Sequence, residues 1–316
     1  MQFCNTQAGM LTFGMQKSQM KWDDLRVFLQ VARDNRLLVA GRTLGLDPAT
    51  VGRRITALED ALGAKLFDRS PQGYAITEAG RNLVAHAQGM ENLAAAARED
   101  VGGHAEKLTG TVRVGAPDGV ANFLLPEATK AMHQENPGLQ VQIVALPRLF
   151  SLSRREADLA IAVSPPTAGR LKIRKIGQYR LRMYGHRDLV ANLGDPQTRA
   201  EIQNVPKIGY IQDMIFDKEL DYLASMGEVG GADLSSNSLI VQLRWTRLRC
   251  GLCILPDFVA VHFPDLVPVL TQKVNLKRNF YLLRHQDDER VARVNAAAEC
   301  ISVNMRSRLS ELSKLP

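Results

Sequence analysis

The sequence predicts a mainly α-helical N-terminal head built as a winged helix-turn-helix, then a long helix, then an α/β part. Three observations carry this. Residues 22–107 are rich in Leu, Ala, Arg and Glu, with apolar residues at helical spacing. Within them, a helix with arginines on its free face follows a short glycine-containing turn, the layout of a helix-turn-helix. Beyond Thr109-Gly110, short β-like runs alternate with helix-like stretches, as in βαβ units around a mainly parallel sheet. The expected parts are residues 1–19, a disordered arm or an over-long start with Met10, Met15 and Met20 as other initiators; 20–77, the head; 78–107, the long helix; and 108–316, the α/β part.

Composition narrows the function. A chain of 316 residues makes roughly two domains. It is 45% hydrophobic and 23% charged, which argues against wholesale disorder. No apolar run approaches the ~18–20 residues that span a bilayer, so no membrane partner is expected. Four cysteines are too few for a disulfide scaffold. The net charge of +7 permits a polyanionic partner, but residues 21–76 hold nine Lys or Arg against seven Asp or Glu. The case for DNA therefore rests on arrangement.

The elements follow in order. Residues 23–34 form an amphipathic helix with Leu25, Phe28, Leu29 and Ala32 on one face, and 37–44 form a second. Gly45 suits the position after a helix end, where a positive φ is cheap. Asp47-Pro48 opens a third helix: Asp caps a backbone N–H, and Pro has none to waste at the first position. Val51, Ile55, Leu58 and Leu62 give its buried face, and Thr50, Arg53, Arg54 and Ala57 the opposite one. The recognition helix is then about 48–62. Its small first residues let the backbone approach base edges, and an arginine grips guanine or a phosphate. Residues 66–69 and 74–76 flank a turn at 70–73 and make a wing, with Arg69 beside the phosphates. The candidate DNA contacts are Pro48, Ala49, Thr50, Arg53, Arg54 and Arg69. The bland alternatives are solvated charges for Arg53 and Arg54, and a structural ion pair for Arg69. In the α/β part the β-like runs are 112–115, 139–145, 159–163, 181–184, 208–211, 253–255 and 279–283.

The run at 40–80, AGRTLGLDPATVGRRITALEDALGAKLFDRSPQGYAITEAG, resembles the DNA-binding signature of the LysR-type transcriptional regulators. Leu58-Glu59, Leu62-Gly63, Leu66-Phe67, Arg69 and Thr77-Glu78-Ala79-Gly80 carry the match. The segment 155–161 and the Gly251 to Pro256 segment resemble two further motifs of that family. Departures are Gly52 where Ser is usual, Asp47-Pro48 where Ser-Gln is common, and Arg155 in place of Gly. The resemblance spans about 21–310 and implies a transcription regulator that is not an enzyme, acts in a bacterial cytoplasm and needs no cofactor.

It implies more for the remaining features. On the long helix, Leu83, Met90, Leu93 and Ala97 give an a/d seam. Its bland reading is packing on the protein's own core; the resemblance implies dimerisation, with dimers pairing into a tetramer on an interrupted near-palindromic operator in double-stranded DNA. His86 flanks the seam. The α/β part is expected to form two subdomains like those of periplasmic binding proteins, with an effector between them. Ligands in such sheets sit beyond the carboxyl ends of strands. That selects Asp118, Arg148, Ser164, Gln212 and Asp213, with Ser236 and Asn237 before a helix, where a cap is the competing role. The effector class is a small carboxylate or amino acid: Arg148 suits an anion, and Asp118 an amino group.

Cys250-x-x-Cys253 sits where a helix passes into a strand, a setting for buried structural thiols. Zinc would need further ligands, and only His262 is near. The family's peroxide-sensing branch has a cysteine pair in its second subdomain, and this chain has none between Cys4 and Cys250. Two alternatives stay open: a thiol-redox regulator using Cys250 and Cys253, and a small-molecule binding protein or enzyme with a vestigial DNA-binding head. Hydrolase, zincin, P-loop and dinucleotide motifs are missing, and GEVGG at 227–231 has the wrong spacing.

Overall fold

The computed structural model describes residues 20–71, 73–102, 107–145, 157–167, 170–226, 231–286, 288 and 291–314. The expected arm at 1–19, Arg148, Arg155 and most of the GEVGG stretch lie outside these. The chain divides into two compact units, Met1–Glu91 and Asn92–Pro316.

The first unit holds α1 (Trp22–Asp34), α2 (Leu37–Leu44), α3 (Pro48–Leu62), β1 (Phe67–Ser70), β2 (Gly73–Ile76) and the start of α4 (Glu78–Gly102). The expected punctuation is present. Gly45 closes α2 at φ 66°, and the Asp47 carboxylate accepts from Thr50 N–H at 2.8 Å to cap α3. Leu25, Phe28 and Leu29 of α1 bury against Val51, Ile55 and Leu58 of α3, with Leu66, Phe67 and Ala87 completing the core. Each such aliphatic or aromatic side chain stabilises the fold by ~1.5–3 kcal/mol when fully buried. Leu62 departs from the expected buried face: it is 40% exposed, because the last turn of α3 runs past that core. β1 and β2 pair antiparallel, from Phe67 opposite Ile76 to Ser70 opposite Gly73.

The second unit contains β3 (Gly110–Ala116), α5 (Asp118–Phe123), α6 (Leu125–Glu135), β4 (Leu139–Ala145), β5 (Leu159–Ala162), β6 (Leu171–His186), α7 (Arg187–Asn192), β7 (Lys207–Gly209), α8 (Tyr222–Ser225), β8 (Leu234–Ser235), α9 (Leu239–Arg247), β9 (Leu252–Pro256), α10 (Asp257–Ala260), β10 (Leu266–Val269), β11 (Asn275–His285) and α11 (Ala292–Ser313). The strands order as β4-β3-β5-β11-β6-β9-β7-β8, with β10 also on β6. The sheet is mixed, which corrects the expectation of a mainly parallel one. β4-β3-β5 and β9-β7-β8 are parallel trios, while β11 runs antiparallel to β5 and β6, and β6 antiparallel to β9 and β10. One subdomain is built on each trio, and β6 and β11 run through both. In open α/β sheets ligands sit beyond the carboxyl ends of the parallel strands.

Candidate DNA-binding surface and effector cleft

On α3, Pro48, Ala49 and Arg53 are exposed, and Thr50 and Arg54 half-buried. Thr50 is organised twice: its N–H caps onto Asp47, and its Oγ1 accepts from Arg53 Nη2 at 2.7 Å. The cap also holds the Asp47 carboxyl below its ordinary value, chiefly through Thr50. Thr50 and Arg53 thus stand together, one helical turn apart, on the exposed side. Arg54 is drawn the other way, toward Asp23 at 4.0 Å and Asp24 at 3.9 Å on α1. Arg69 donates to Thr56 Oγ1 at 2.9 Å and to Glu59 Oε2 at 3.3 Å, while its side chain stays 46% exposed. It therefore combines the ion pair of the bland reading with an outward-facing charge at the wing.

Along α4, Leu83, Val84 and Ala87 pack on the head's own core. Farther on, Met90 is 39% and Leu93 53% exposed, and Ala97 is exposed too. The seam is therefore divided: its first turns serve the head, and the described residues of its later turns present exposed apolar surface. His86 is exposed.

In the α/β unit, Asp118 opens α5 directly after β3, and its Oδ2 accepts from Ser238 Oγ at 2.8 Å, just ahead of α9. Ser164, after β5, donates to Asp217, ahead of α8. Both bonds cross from the first subdomain to the second. Gln212 Nε2 donates to Asp221 Oδ2 at 2.9 Å, and Asp213 is exposed beside it. The helix N-cap is Ser238 rather than Ser236 or Asn237. Ser236 Oγ accepts from Ser238 N–H at 3.1 Å, and Asn237 is half-buried. Nearby, the rings of Tyr210 and Tyr222 meet edge-on at 5.8 Å. Burial raises both phenols above their ordinary value, with the Asp118 charge adding to the effect, so they stay protonated donors.

Cys250, Cys253 and Cys300 are free thiols. Cys253 is buried in β9, and burial pushes its thiol up to about 12. Cys250 is half-buried in the preceding turn, and its Sγ faces Leu248 O at 3.9 Å. His262 packs its ring on Phe123 at 5.4 Å. Among the described residues no group of three or more His, Cys, Asp or Glu side chains is placed to hold a metal, and no helix is long and apolar enough to cross a membrane.

Two family profiles match. "Bacterial regulatory helix-turn-helix protein, lysR family" covers residues 22–81, and "LysR substrate binding domain" covers 105–305. The chain belongs to the LysR family. It carries that family's helix-turn-helix domain and its substrate-binding domain, and spans about half the length of the first curated relatives it matches. Among relatives, it is 25% identical over 271 residues to the transcriptional activator TtdR of Escherichia coli, covering 80% of this chain and 84% of that one. It is 35% identical over 127 residues to the regulator ShiR of Corynebacterium glutamicum, covering 40% and 42%. The match to YfeR of Shigella flexneri likewise spans only about half of that relative, 54%. Among solved structures, a full-length OxyR variant of Pseudomonas aeruginosa superposes with a TM-score of 0.72 at 18% identity, covering 91% of this chain and 98% of that chain. Full-length LysG of Corynebacterium glutamicum with bound effector Arg gives 0.58 at 18%, covering 90% and 98%. At these identities the likeness establishes the shared fold.

For this LysR-family chain the sequence reading missed Thr56 and Glu59 on α3, and Ser238, Asp217, Tyr210 and Tyr222 in the second subdomain. Thr56 had a readable signal, because it continues the three-residue step of Thr50 and Arg53. Glu59 stood in the family match, but its role is set by partners six to ten positions on, and the others are defined by partners farther away in sequence.

Proposed function

We propose that this chain binds an interrupted near-palindromic operator in double-stranded DNA as a homodimer, paired into a tetramer, and that a small carboxylate or amino acid held between the two α/β subdomains controls it in a bacterial cytoplasm. The partition is 20–77 for DNA binding, 78–107 for dimerisation and 108–316 for effector response. The observation that carries the reading is the capped start of α3, where Thr50 and Arg53 share one hydrogen-bonded, outward-facing turn. Pro48 and Ala49 leave room for base edges beside it. Arg69 adds a phosphate contact, and Arg54 a weaker one, since Asp23 and Asp24 share its charge. Met90, Leu93 and Ala97 supply the dimer seam, with Leu83 anchoring it to the head.

An amino-acid effector is supported by the chemistry of the cleft. The Asp118 carboxylate suits an ammonium group, and Ser164, Gln212, Asp213, Ser236 and Asn237 are the polar candidates beside it; Arg148, outside the described residues, is the candidate that the sequence offers for an effector carboxylate. LysG, of the same fold, was solved with Arg bound. The redox alternative would rest on the half-buried Cys250, because burial pushes the Cys253 thiol up to about 12 and leaves it little thiolate for oxidation.

The test is fluorescence anisotropy of the full chain on duplexes it selects from a randomised pool. Arg53→Ala should abolish sequence preference with the helical content unchanged. Binding that survives intact would favour the vestigial-head alternative.

A further inference from the structure

Glu59 sits in the closing turns of α3 and is 2% exposed. Its carboxylate gathers four donors. Oε1 accepts from the backbone N–H groups of Leu66 at 2.9 Å and Phe67 at 3.3 Å, where the wing begins. Oε2 accepts from Lys65 Nζ at 2.8 Å and Arg69 Nη2 at 3.3 Å. A buried carboxylate persists only where its charge and lone pairs are met, and this one is met by two cations and two backbone donors. Arg69 is gripped again by Thr56 Oγ1 at 2.9 Å, and its guanidinium stands 5.6 Å from the centre of the Tyr74 ring on β2. An exposed ion pair alone would fix little. A buried anion, a hydroxyl and a ring face together select one arrangement of a side chain that otherwise samples many.

We infer that Glu59 is a positioning residue for DNA binding: it registers the wing against the recognition helix and presents Arg69 to the phosphate backbone. This rests on the DNA-binding reading of the head. The opposing account is that Glu59 only neutralises Arg69. The two accounts differ in sign, since loosening a positioned arginine weakens binding and unmasking a neutralised one strengthens it.

The test uses the full chain and the selected duplex at several salt concentrations. Arg69→Ala should weaken binding about tenfold and lower the salt slope by about one phosphate contact. Glu59→Gln keeps an oxygen for Leu66 and Phe67 but removes the charge that holds Arg69. It should weaken binding by up to about tenfold, since loosening Arg69 can cost no more than removing it. In the Arg69→Ala background it should add almost nothing, because the two residues act as one unit. Should Glu59→Gln fail to fold, Thr56→Val removes the second grip without touching the carboxylate, and its loss should also vanish in the Arg69→Ala background. Tighter binding by Glu59→Gln would overturn the inference. So would a loss that persists undiminished without Arg69, and so would an Arg69→Ala chain that binds normally. In that last case, a defective Arg53→Ala leaves the DNA reading standing, and a normal one removes both.

Discussion

Gly52 lies within α3, where a residue without a side chain costs ~0.5–1 kcal/mol relative to Ala. A Cβ placed there meets only Leu37 Cδ1, at 3.4 Å, an ordinary contact. Gly52→Ala should therefore stabilise the head by ~0.5–1 kcal/mol, read as a rise of about 4–8 °C per kcal/mol in a domain of this size. A fall would mean that α2 needs the closer approach. Glu59 makes a pH-dependent contribution. Burial opposes its charge, but the donors from Lys65, Leu66 and Phe67 outweigh that and hold its carboxyl below the ordinary value of 4.5. A lowered carboxyl contributes stability that is fully present above 4.5 and is lost as pH falls through the folded-state value. Amide exchange at Leu66 and Phe67 in the full chain should accelerate, beyond its intrinsic pH dependence, below about pH 4.5, and Glu59→Gln should flatten that step. At this scale the sequence was legible where a side chain acts locally, as with Asp47 capping Thr50. It was not legible for Arg54, whose partners Asp23 and Asp24 lie on another helix. Nor was it for Ser238, whose hydroxyl reaches Asp118 across 120 positions.

The elements that sequence periodicity marked best are those whose apolar spacing is unbroken. α2 and α3 begin and end where expected, because Gly45, Asp47-Pro48 and Gly63 punctuate them. β6 and β11 were seen only in part. β6 carries five cations between Lys172 and Arg182, its alternation is broken at Arg174-Lys175 and Gly177-Gln178, and only its buried end at 181–184 reads as a strand. Missing their full length also hid the mixed sheet, since these two strands are its antiparallel centre. On α4, close approach explains one signature residue: a Cβ on Gly80 would stand 2.3 Å from Leu66 O and 2.7 Å from Ile76 Cγ1. Gly80→Ala should destabilise the head by ~1–3 kcal/mol, the usual cost of overpacking, measured by denaturant titration. Farther along α4, Leu93→Glu places a charge on a surface that is 53% exposed in one chain. It should leave the fold unchanged and shift sedimentation of the full chain toward smaller species, since a charge buried in a seam has no partner there. An unchanged sedimentation coefficient would return the seam to its bland reading.

Across the α/β unit, two hydroxyl–carboxylate bonds, Ser238 to Asp118 and Ser164 to Asp217, join the subdomains where the strands end. A ligand entering there must exchange with or build on those bonds. Its differential affinity for the two arrangements is the only free energy available to move them, and ~1–3 kcal/mol would give a 5–150-fold response at DNA. Asp118 makes the ligand class testable. If an effector ammonium pairs with that carboxylate, Asp118→Asn should weaken an amino acid by about 10–100-fold, the scale of a hydrogen bond to a charged group. A carboxylate without an amino group should bind Asp118→Asn as well as the unmodified chain, or better, because a negative charge has left the site. Thermal melting reads both arms. A ligand at 100 times its Kd adds ~2.7 kcal/mol, a shift of roughly 5–10 °C for this unit. An amino acid that stabilises both chains equally would place its ammonium away from Asp118 and make the Asp118–Ser238 bond a structural tie between subdomains.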